Sequence, residues 1–386
     1  MESVTTDADA GPVFRIGMLG PSRVGKTSLV VSLLTDSERL LGGTPVVLRA
    51  ADSSTRARLR LRRQELDGGL LAKKFDTAVM RGSENLTYFE LDLKAGQATD
   101  GIRFSLLDFP GAWMSEHERR GSEEVRQWDE CRDFLVGSNI LIVPIDATVL
   151  MEADQAAHWQ SVPAVLETLA VQEIAESWAG YRNLAPDEPA LVVLAPVKCE
   201  SYFADNGGYR DDSQLLRERV LDVYERTVEL IRLNAPHAQI RYCPVDTLGC
   251  VELVKVEWEP SADDPGVQRP RGTFAVRGKG KISIAGADDI LGAVCSLLVE
   301  AQRKVTTGLA AGHIASAQDM EVRGRELKRG FFRHVLNTLN GNIRANELER
   351  SGELGKARAL RAQAQQLQDA VEMIAGRASS GRSKVL

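Results

Sequence analysis

The sequence has little that could staple a chain or fix it to a membrane. Its 386 residues hold five cysteines (Cys131, Cys199, Cys243, Cys250 and Cys295), scattered without a C-x-x-C pair. That argues against a disulfide frame or a zinc site and leaves them as small buried apolar residues. His158, His237, His313 and His334 show no metal-ligand spacing. Long hydrophobic runs are missing too: the longest, Phe134 to Ile145, is interrupted by Gly137, Ser138 and Asn139 and is too short to cross a bilayer. The first residues are acidic and small, with neither a basic start nor an apolar signal core, so export is not expected and the cytoplasm is the expected location.

What is present describes a globular protein. With 43% apolar and 26% charged residues, the chain can bury one large core with an appendage, or two cores. The net charge of -6 is unevenly spread: from Glu321 onward there are 13 Lys/Arg against 7 Asp/Glu, about +6, which leaves about -12 on the preceding residues. A basic C-terminal segment can touch nucleic acid, anionic lipid or an acidic partner, but a solvated helical face is the expected account.

The hydrophobic pattern alternates between strand and helix. Residues 1–12 read as a loose leader, and 42–86, rich in Arg, Gly and Asp, as loop and short helix. Thr87 to Leu93 alternates polar and apolar residues as an edge strand does, and Ile102 to Leu107 follows a turn, so a hairpin is expected. A charged helix over 115–134 leads to Ile140–Ile145, a long helical region over 153–179 leads to Ala190–Ala195, and a helix over 212–233 leads to Gln239–Val245. This order predicts an α/β three-layer sandwich whose sheet is mainly parallel with an antiparallel edge strand. An inserted β-hairpin is expected near 251–284, and a helix over 290–304, N-capped by Asp288, closes a domain spanning 13–307. Gly308 to Gly312 reads as a boundary. Beyond it, over 313–376, Leu327, Phe331, Val335 and Leu339 recur every four residues, and Ala357, Leu360, Ala364, Leu367, Val371 and Ile374 at alternating four and three. That predicts a helical hairpin or coiled coil, either packed back onto the domain or forming a homodimer. The tail over 377–386 is expected to be mobile.

One stretch carries chemistry. Gly20-Pro21-Ser22-Arg23-Val24-Gly25-Lys26-Thr27 reads G-x-x-x-x-G-K-T, between a strand-like run ending at Leu19 and a helix-like run from Ser28 to Leu34. In a phosphate-binding loop (P-loop), two glycines let backbone N–H groups wrap a phosphate, the lysine reaches the β- and γ-phosphates, and the threonine hydroxyl ligates Mg²⁺. The helix that follows adds its positive dipole end. Downstream, Leu106-Leu107-Asp108-Phe109-Pro110-Gly111 puts an acid at the end of a buried strand, where it can steady Mg²⁺. A glycine three residues on can offer its N–H to a γ-phosphate and flip when that phosphate leaves.

Taken together, these motifs resemble a P-loop NTPase, a GTPase of the TRAFAC type, and the wording Asp-Phe-Pro-Gly-Ala-Trp at Asp108–Trp113 is most similar to bacterial YcjX-like GTPases, with a weaker likeness to GTPase modules of bacterial conflict systems. The resemblance covers roughly residues 13–305. It implies that Val197-Lys198-Cys199-Glu200 stands where the family has [N/T]-K-x-D, with Lys198 packing on the base and Glu200 supplying the carboxylate that accepts from guanine. Val197 departs from the usual polar residue and Glu200 is one methylene longer. The backbone of Cys243 to Thr247 would touch the base edge. A switch threonine for Mg²⁺ is assigned to Thr77, with Thr44 and Thr55 as competitors. Ala112 occupies the position of the family's water-orienting Gln or Glu, so Glu116, His117, a residue of the switch-one segment or a partner's side chain is needed for that role. Trp113 and Met114 form either an apolar lid or a helix anchor.

The expected function is a GTP-binding, Mg²⁺-dependent switch that hydrolyses GTP to GDP slowly, acting on an effector protein. An ATPase with a degenerate base loop and a nucleotide-gated scaffold with little hydrolysis are the alternatives.

Overall fold

The computed structural model describes residues 14–35, 37, 41–42, 46–71, 74–76, 85–95, 102–115, 119, 121–261, 264–278, 280–329, 336–377 and 381–386. The leader expected over 1–12 lies outside them. Eight strands form one sheet in the order Lys384–Val385 (β11), Gln239–Tyr242 (β8), Leu191–Val197 (β7), Ile140–Asp146 (β6), Phe14–Met18 (β1), Ile102–Asp108 (β5), Thr87–Ala95 (β4) and Val46–Ala50 (β2). The pairings β1 with β5 and β6, β6 with β7, and β7 with β8 are parallel. β2, β4 and β5 pair antiparallel at one edge, and β11 pairs antiparallel with β8 at the other.

The apolar runs are unbroken because these strands are buried on both faces. Ile140 and Ile142 of β6 join one apolar cluster, while Leu141, Val143 and Ile145 join a second on the opposite face. β7 divides in the same way, with Leu191, Val193 and Ala195 facing the first cluster and Val192 and Leu194 the second. Helix Lys26–Thr35 (α1) and the long helix Ala287–Arg329 (α8) cover the first face through Leu29, Val30, Leu33, Ile290, Leu291, Val294 and Leu298. Helices Ser122–Gly137 (α3), Thr168–Asn183 (α6) and Ser213–Asn234 (α7) cover the second through Trp128, Leu135, Val171, Trp178, Leu216 and Val220. The result is three layers, helix on sheet on helix. β1 runs close beneath α3 at Gly17, where a Cβ would lie 2.5 Å from Leu135 Cδ2.

A smaller sheet, in the order Lys74–Asp76 (β3), Gln268–Val276 (β10) and Val251–Pro260 (β9), is wholly antiparallel. It meets α1 and the helix Ser53–Leu71 (α2) through Val31, Leu66, Leu70, Leu248, Val251 and Phe274. Ser161 of the helix Ala156–Val165 (α5), which follows the short helix Ala147–Met151 (α4), accepts from Gln268 N at 2.9 Å and ties the strand pair to the main body.

Three expectations are corrected. Residues 53–71 form one 19-residue helix where loop and short helix were expected, because Thr55, Leu59, Leu66 and Leu70 share one buried face that the intervening arginines disguise in the sequence. The boundary at Gly308–Gly312 does not break the chain: α8 runs through it for 43 residues and pairs with Leu336–Arg377 (α9), 42 residues long. Buried Ala310, Ala317 and Ala357 let these helices approach closely, and His313 Nδ1 meets Glu353 Oε2 at 2.5 Å. The tail is docked at its end, with β11 on the sheet edge and Leu386 N donating to Ile240 O at 2.9 Å. The pairs 384–385 with 241–242 satisfy an edge that would otherwise present bare backbone groups. No helix among the described residues is long and apolar enough to cross a membrane.

Candidate functional site

In open α/β sheets the ligand crevice lies at the strand ends where neighbouring connections leave toward opposite faces; here α1 follows β1 on one face and α3 follows β5 on the other. β1 ends at Met18, Gly20 to Gly25 form the connection, and α1 begins at Lys26. Two residues of this loop sit at positive φ, Arg23 at 62° and Gly25 at 111°. The Leu29 N–H closes onto Gly25 O at 2.9 Å, so the amides of Lys26, Thr27 and Ser28 lie at the helix start, where an anion is favoured.

β5 lies beside β1 in parallel register, Ile16 opposite Leu106 and Gly17 opposite Leu107, and this carries Asp108 to the foot of α1. There Thr27 Oγ1 donates to Asp108 Oδ2 at 2.8 Å, joining residues 81 positions apart. Lys26 is 6% exposed and donates to Gly20 O at 2.7 Å and Pro21 O at 2.9 Å, its ammonium 5.1 Å from the centre of the Phe109 ring. Burial pulls its pKa down to about 8, against the opposing pull of the Asp108 carboxylate.

Gly111 opens a short 3-10 turn, Gly111–Met114, folded over the same loop. A Cβ on Gly111 would lie 2.3 Å from Pro21 C and 2.4 Å from both Ser22 N and Lys26 Nζ, so only glycine fits. Trp113 and Met114 are buried in the apolar cluster with Phe109 and Trp128; they anchor the turn and do not form an exposed lid.

The other flank of the loop is met by β6 and β7. Lys198, just past β7, sits at φ 60°. Among the described residues only Arg23, Glu167 and Lys198 are non-glycine residues at positive φ, and two of the three touch here: Lys198 Nζ donates to Arg23 O at 3.1 Å. Such backbone persists only where its surroundings hold it, and it concentrates at functional sites. The same ammonium pairs with Asp146, whose carboxylate also accepts from Thr148 N and caps α4. Lys198 is thus committed to a loop carbonyl and a carboxylate.

Glu200 follows Lys198 and Cys199 past the end of β7. It is 3% exposed, and its Oε1 accepts from Leu248 N at 3.0 Å and Gly249 N at 3.3 Å. Burial and nearby Asp246 raise its pKa to about 7. Through Oε1 its carboxylate holds the segment after β8, while Oε2 is buried without a hydrogen-bond partner. Asp246 follows Val245, which bridges Val197 in parallel, and so lies beside Lys198 and Cys199. It is fully buried; its Oδ2 accepts from Asn206 Nδ2 at 3.0 Å and Arg382 Nη2 at 2.9 Å.

The fold therefore brings Gly20, Pro21, Ser22, Arg23, Val24, Gly25, Lys26, Thr27, Ser28, Asp108, Gly111 and Lys198 to one end of the sheet, with Glu200 buried against Leu248 and Gly249. Thr77, Thr44, Glu116 and His117 lie outside the described residues. Thr55 is buried against Asp52 and bonds Glu90 N at 3.1 Å, which makes it part of the start of α2. Asp146, Asn206 and Arg382 did not figure in the sequence reading, and Asp246 did so only through the backbone of the Cys243–Thr247 stretch. Asp146 carried the same signal as Asp108, an acid ending a buried strand; Arg382 carried none.

A hydroxyl and a carboxylate in contact at a helix start are hard oxygen donors of the kind that suit Mg²⁺. Among the described residues no cluster of three or more His, Cys, Asp or Glu side chains could hold a metal by itself. No protein-family model matches this chain, and no curated protein matches it.

Proposed function

We propose that this chain binds a nucleoside triphosphate at the Gly20–Thr27 loop, with GTP as the nucleotide, and hydrolyses it slowly to GDP. The observation that carries the reading is the Thr27 Oγ1 to Asp108 Oδ2 contact of 2.8 Å, made beside a lysine folded onto its own loop. The loop amides and the start of α1 would receive phosphate oxygens. The Lys26 ammonium now rests on the neutral carbonyls of Gly20 and Pro21; phosphate oxygens are stronger, charged acceptors and would draw it away from them. Gly111, packed on Pro21 and Lys26, is the group such a movement would displace first, which links ligand to turn Gly111–Met114.

Mg²⁺, when bound, would neutralise charge on the phosphate oxygens, and Thr27 and Asp108 are the residues that would hold it. Ala112 offers no group to orient water, so turnover by the isolated chain is slow. A partner's arginine is the kind of group that accelerates such chemistry, by about 10³- to 10⁵-fold.

The test is calorimetry with MgGTP and MgATP on wild type and Lys26→Ala, together with identification of any nucleotide released on denaturation. Guanine nucleotide binding lost in the variant is expected; absence of triphosphate uptake by the wild type would overturn the proposal. A second reading, ATP as the nucleotide, is favoured by one observation: Glu200 Oε1 is engaged by Leu248 N and Gly249 N. MgATP binding more tightly than MgGTP would select it.

A further inference from the structure

The last six residues, outside any role considered so far, reach the same end of the sheet. Since β11 runs antiparallel to β8, with Lys384 opposite Tyr242, the preceding Arg382 lies beyond the C-terminal end of β8, beside the loops that follow β7 and β8. Its side chain is buried at 2% exposure, a rare place for an arginine. Two of its nitrogens carry the contacts: Nε donates to Asp205 Oδ2 at 2.7 Å, Nη2 donates to Asp205 Oδ1 and to Asp246 Oδ2, and the guanidinium lies 4.1 Å from the Phe203 ring centre.

The two acids belong to different loops. Asp205 lies in the β7–α7 connection, which begins at Lys198, and Asp246 in the segment after β8. Asn206 repeats the cross-link, donating to Asp246 Oδ2 at 3.0 Å and to Ser283 O at 2.7 Å. Arg277 adds a third, donating to Gly207 O and to Gly249 O. Glu200 closes the set by accepting from Leu248 and Gly249. Arg382 alone among these residues brings a charge from the far end of the chain onto a fully buried carboxylate. Removing it would leave Asp246 charged and uncompensated in the interior, an outcome far costlier than losing a surface pair.

Topology says which part of a nucleotide this network serves. Asp108 and Gly111 approach the Gly20–Thr27 loop from the β5 side, so the metal and terminal phosphate belong there. The nucleoside must then leave toward β6, β7 and β8, where Lys198 touches Arg23 and the Arg382 network begins.

We propose that Arg382 is a positioning residue for the nucleoside end of this site: by clamping Asp205 to Asp246 it holds the post-β7 and post-β8 loops in the shape that retains the base, and so sets the rate of nucleotide release. The inference rests on the nucleotide reading above. It places the control of release in the C-terminal strap rather than in the phosphate loop. Both ends of the α8–α9 pair fasten to this network, since Ala285 O accepts from Asp246 N at 3.0 Å just before α8 and Arg382 follows α9 by five residues. A force on those helices would therefore reach the base loops first.

The experiment measures release of a fluorescent GDP by stopped flow and binding of inorganic tripolyphosphate by calorimetry, in wild type, Arg382→Met, Arg382→Lys and the double variant Arg382→Met with Asp246→Asn. Arg382→Met should speed GDP release by about tenfold or more while tripolyphosphate affinity stays within about twofold. Lysine keeps the charge but lacks the planar fork that grips Asp205 through both oxygens while reaching Asp246, so Arg382→Lys should fall between. The double variant leaves no buried charge unpaired and serves if the single one does not fold; its GDP release should also be fast. Unchanged GDP release, or equal weakening of GDP and tripolyphosphate, would overturn the role of Arg382 while leaving nucleotide binding intact. A wild type that binds neither ligand would overturn the nucleotide reading and this inference with it.

Discussion

Lys26 is a buried charge whose surroundings set its energetics. A buried ammonium resting on two carbonyls is disfavoured in the free protein, and its pKa is pushed down to about 8 from 10.5. The unfolded chain therefore holds the proton more tightly; the burial cost is present in full below about pH 8 and fades as pH rises toward 10.5, so stability rises across that window. Lys26→Met should be more stable than wild type by about 1–3 kcal/mol at pH 7 without nucleotide, with the gap narrowing above pH 8. Urea unfolding of both proteins at pH 7 and 9.5 checks it. Glu200 works in the opposite sense: the folded state holds its proton more tightly, so its contribution is full below about pH 4.5 and lost as pH rises through about 7. Glu200→Gln keeps an oxygen for the Leu248 and Gly249 amides and removes the charge. It should melt higher than wild type at pH 8 and at the same temperature near pH 4.5, without changing the preference between GTP and ATP; a lost preference would mean that Glu200 reads the base after all. At this scale the sequence spelled out the loop, Asp108 and Gly111, because their spacing is local. The place of Glu200 depended on Leu248 and Gly249, residues 48 and 49 positions away.

Among the elements, those with a strong apolar period were legible. β6 and β7 declared themselves as uninterrupted runs, and α7 as a long amphipathic stretch. The helical region expected over 153–179 contains two helices, α5 and α6, separated where Glu167 takes φ 49°, four residues after Pro163. α2 was hidden because its solvent face is dense in arginine, some of it paired along the helix as Arg62 with Glu65 and Arg63 with Asp67. α8 was cut short in the reading because Gly308 and Gly312 look like a boundary. Neither glycine has any atom within 4 Å of the position its Cβ would take, so both are ordinary helix positions occupied by a poor helix former. Gly308→Ala and Gly312→Ala should each stabilise the protein by about 0.5–1 kcal/mol, read from denaturation midpoints. Destabilisation at either position would argue for a hinge there.

The whole molecule depends on its C-terminal third more than a modular reading implies. Leu367, Ala370 and Ile374 of α9 are buried in the cluster that also contains Phe89, Leu91 and Leu93 of β4, and β11 covers the sheet edge beside β8. A chain ended at residue 307 loses these buried groups together with Arg382. Its melting temperature should fall by roughly 10 °C or more, since each large buried side chain removed costs about 2–5 kcal/mol. Equal melting of the truncated and full chains in a thermal scan would mean that the helical pair is an independent appendage. The basic character of the last 66 residues is likewise divided in use, because Arg382 spends its charge inside the fold on Asp205 and Asp246.

By itself the sequence determined the layered α/β plan and the strand–loop–helix setting of Gly20–Thr27, because periodicity and short motifs act between residues near one another along the chain. Tertiary structure alone decided that Glu200 is buried against Leu248 and Gly249, that α8 runs on through its glycines, and that the tail returns as a strand with Arg382 beneath the loops that follow β7 and β8. Those outcomes turn on which partners a buried charge or a free sheet edge finds far along the chain. Arg382 and Asp246, 136 positions apart, have no common pattern until the fold puts them in contact.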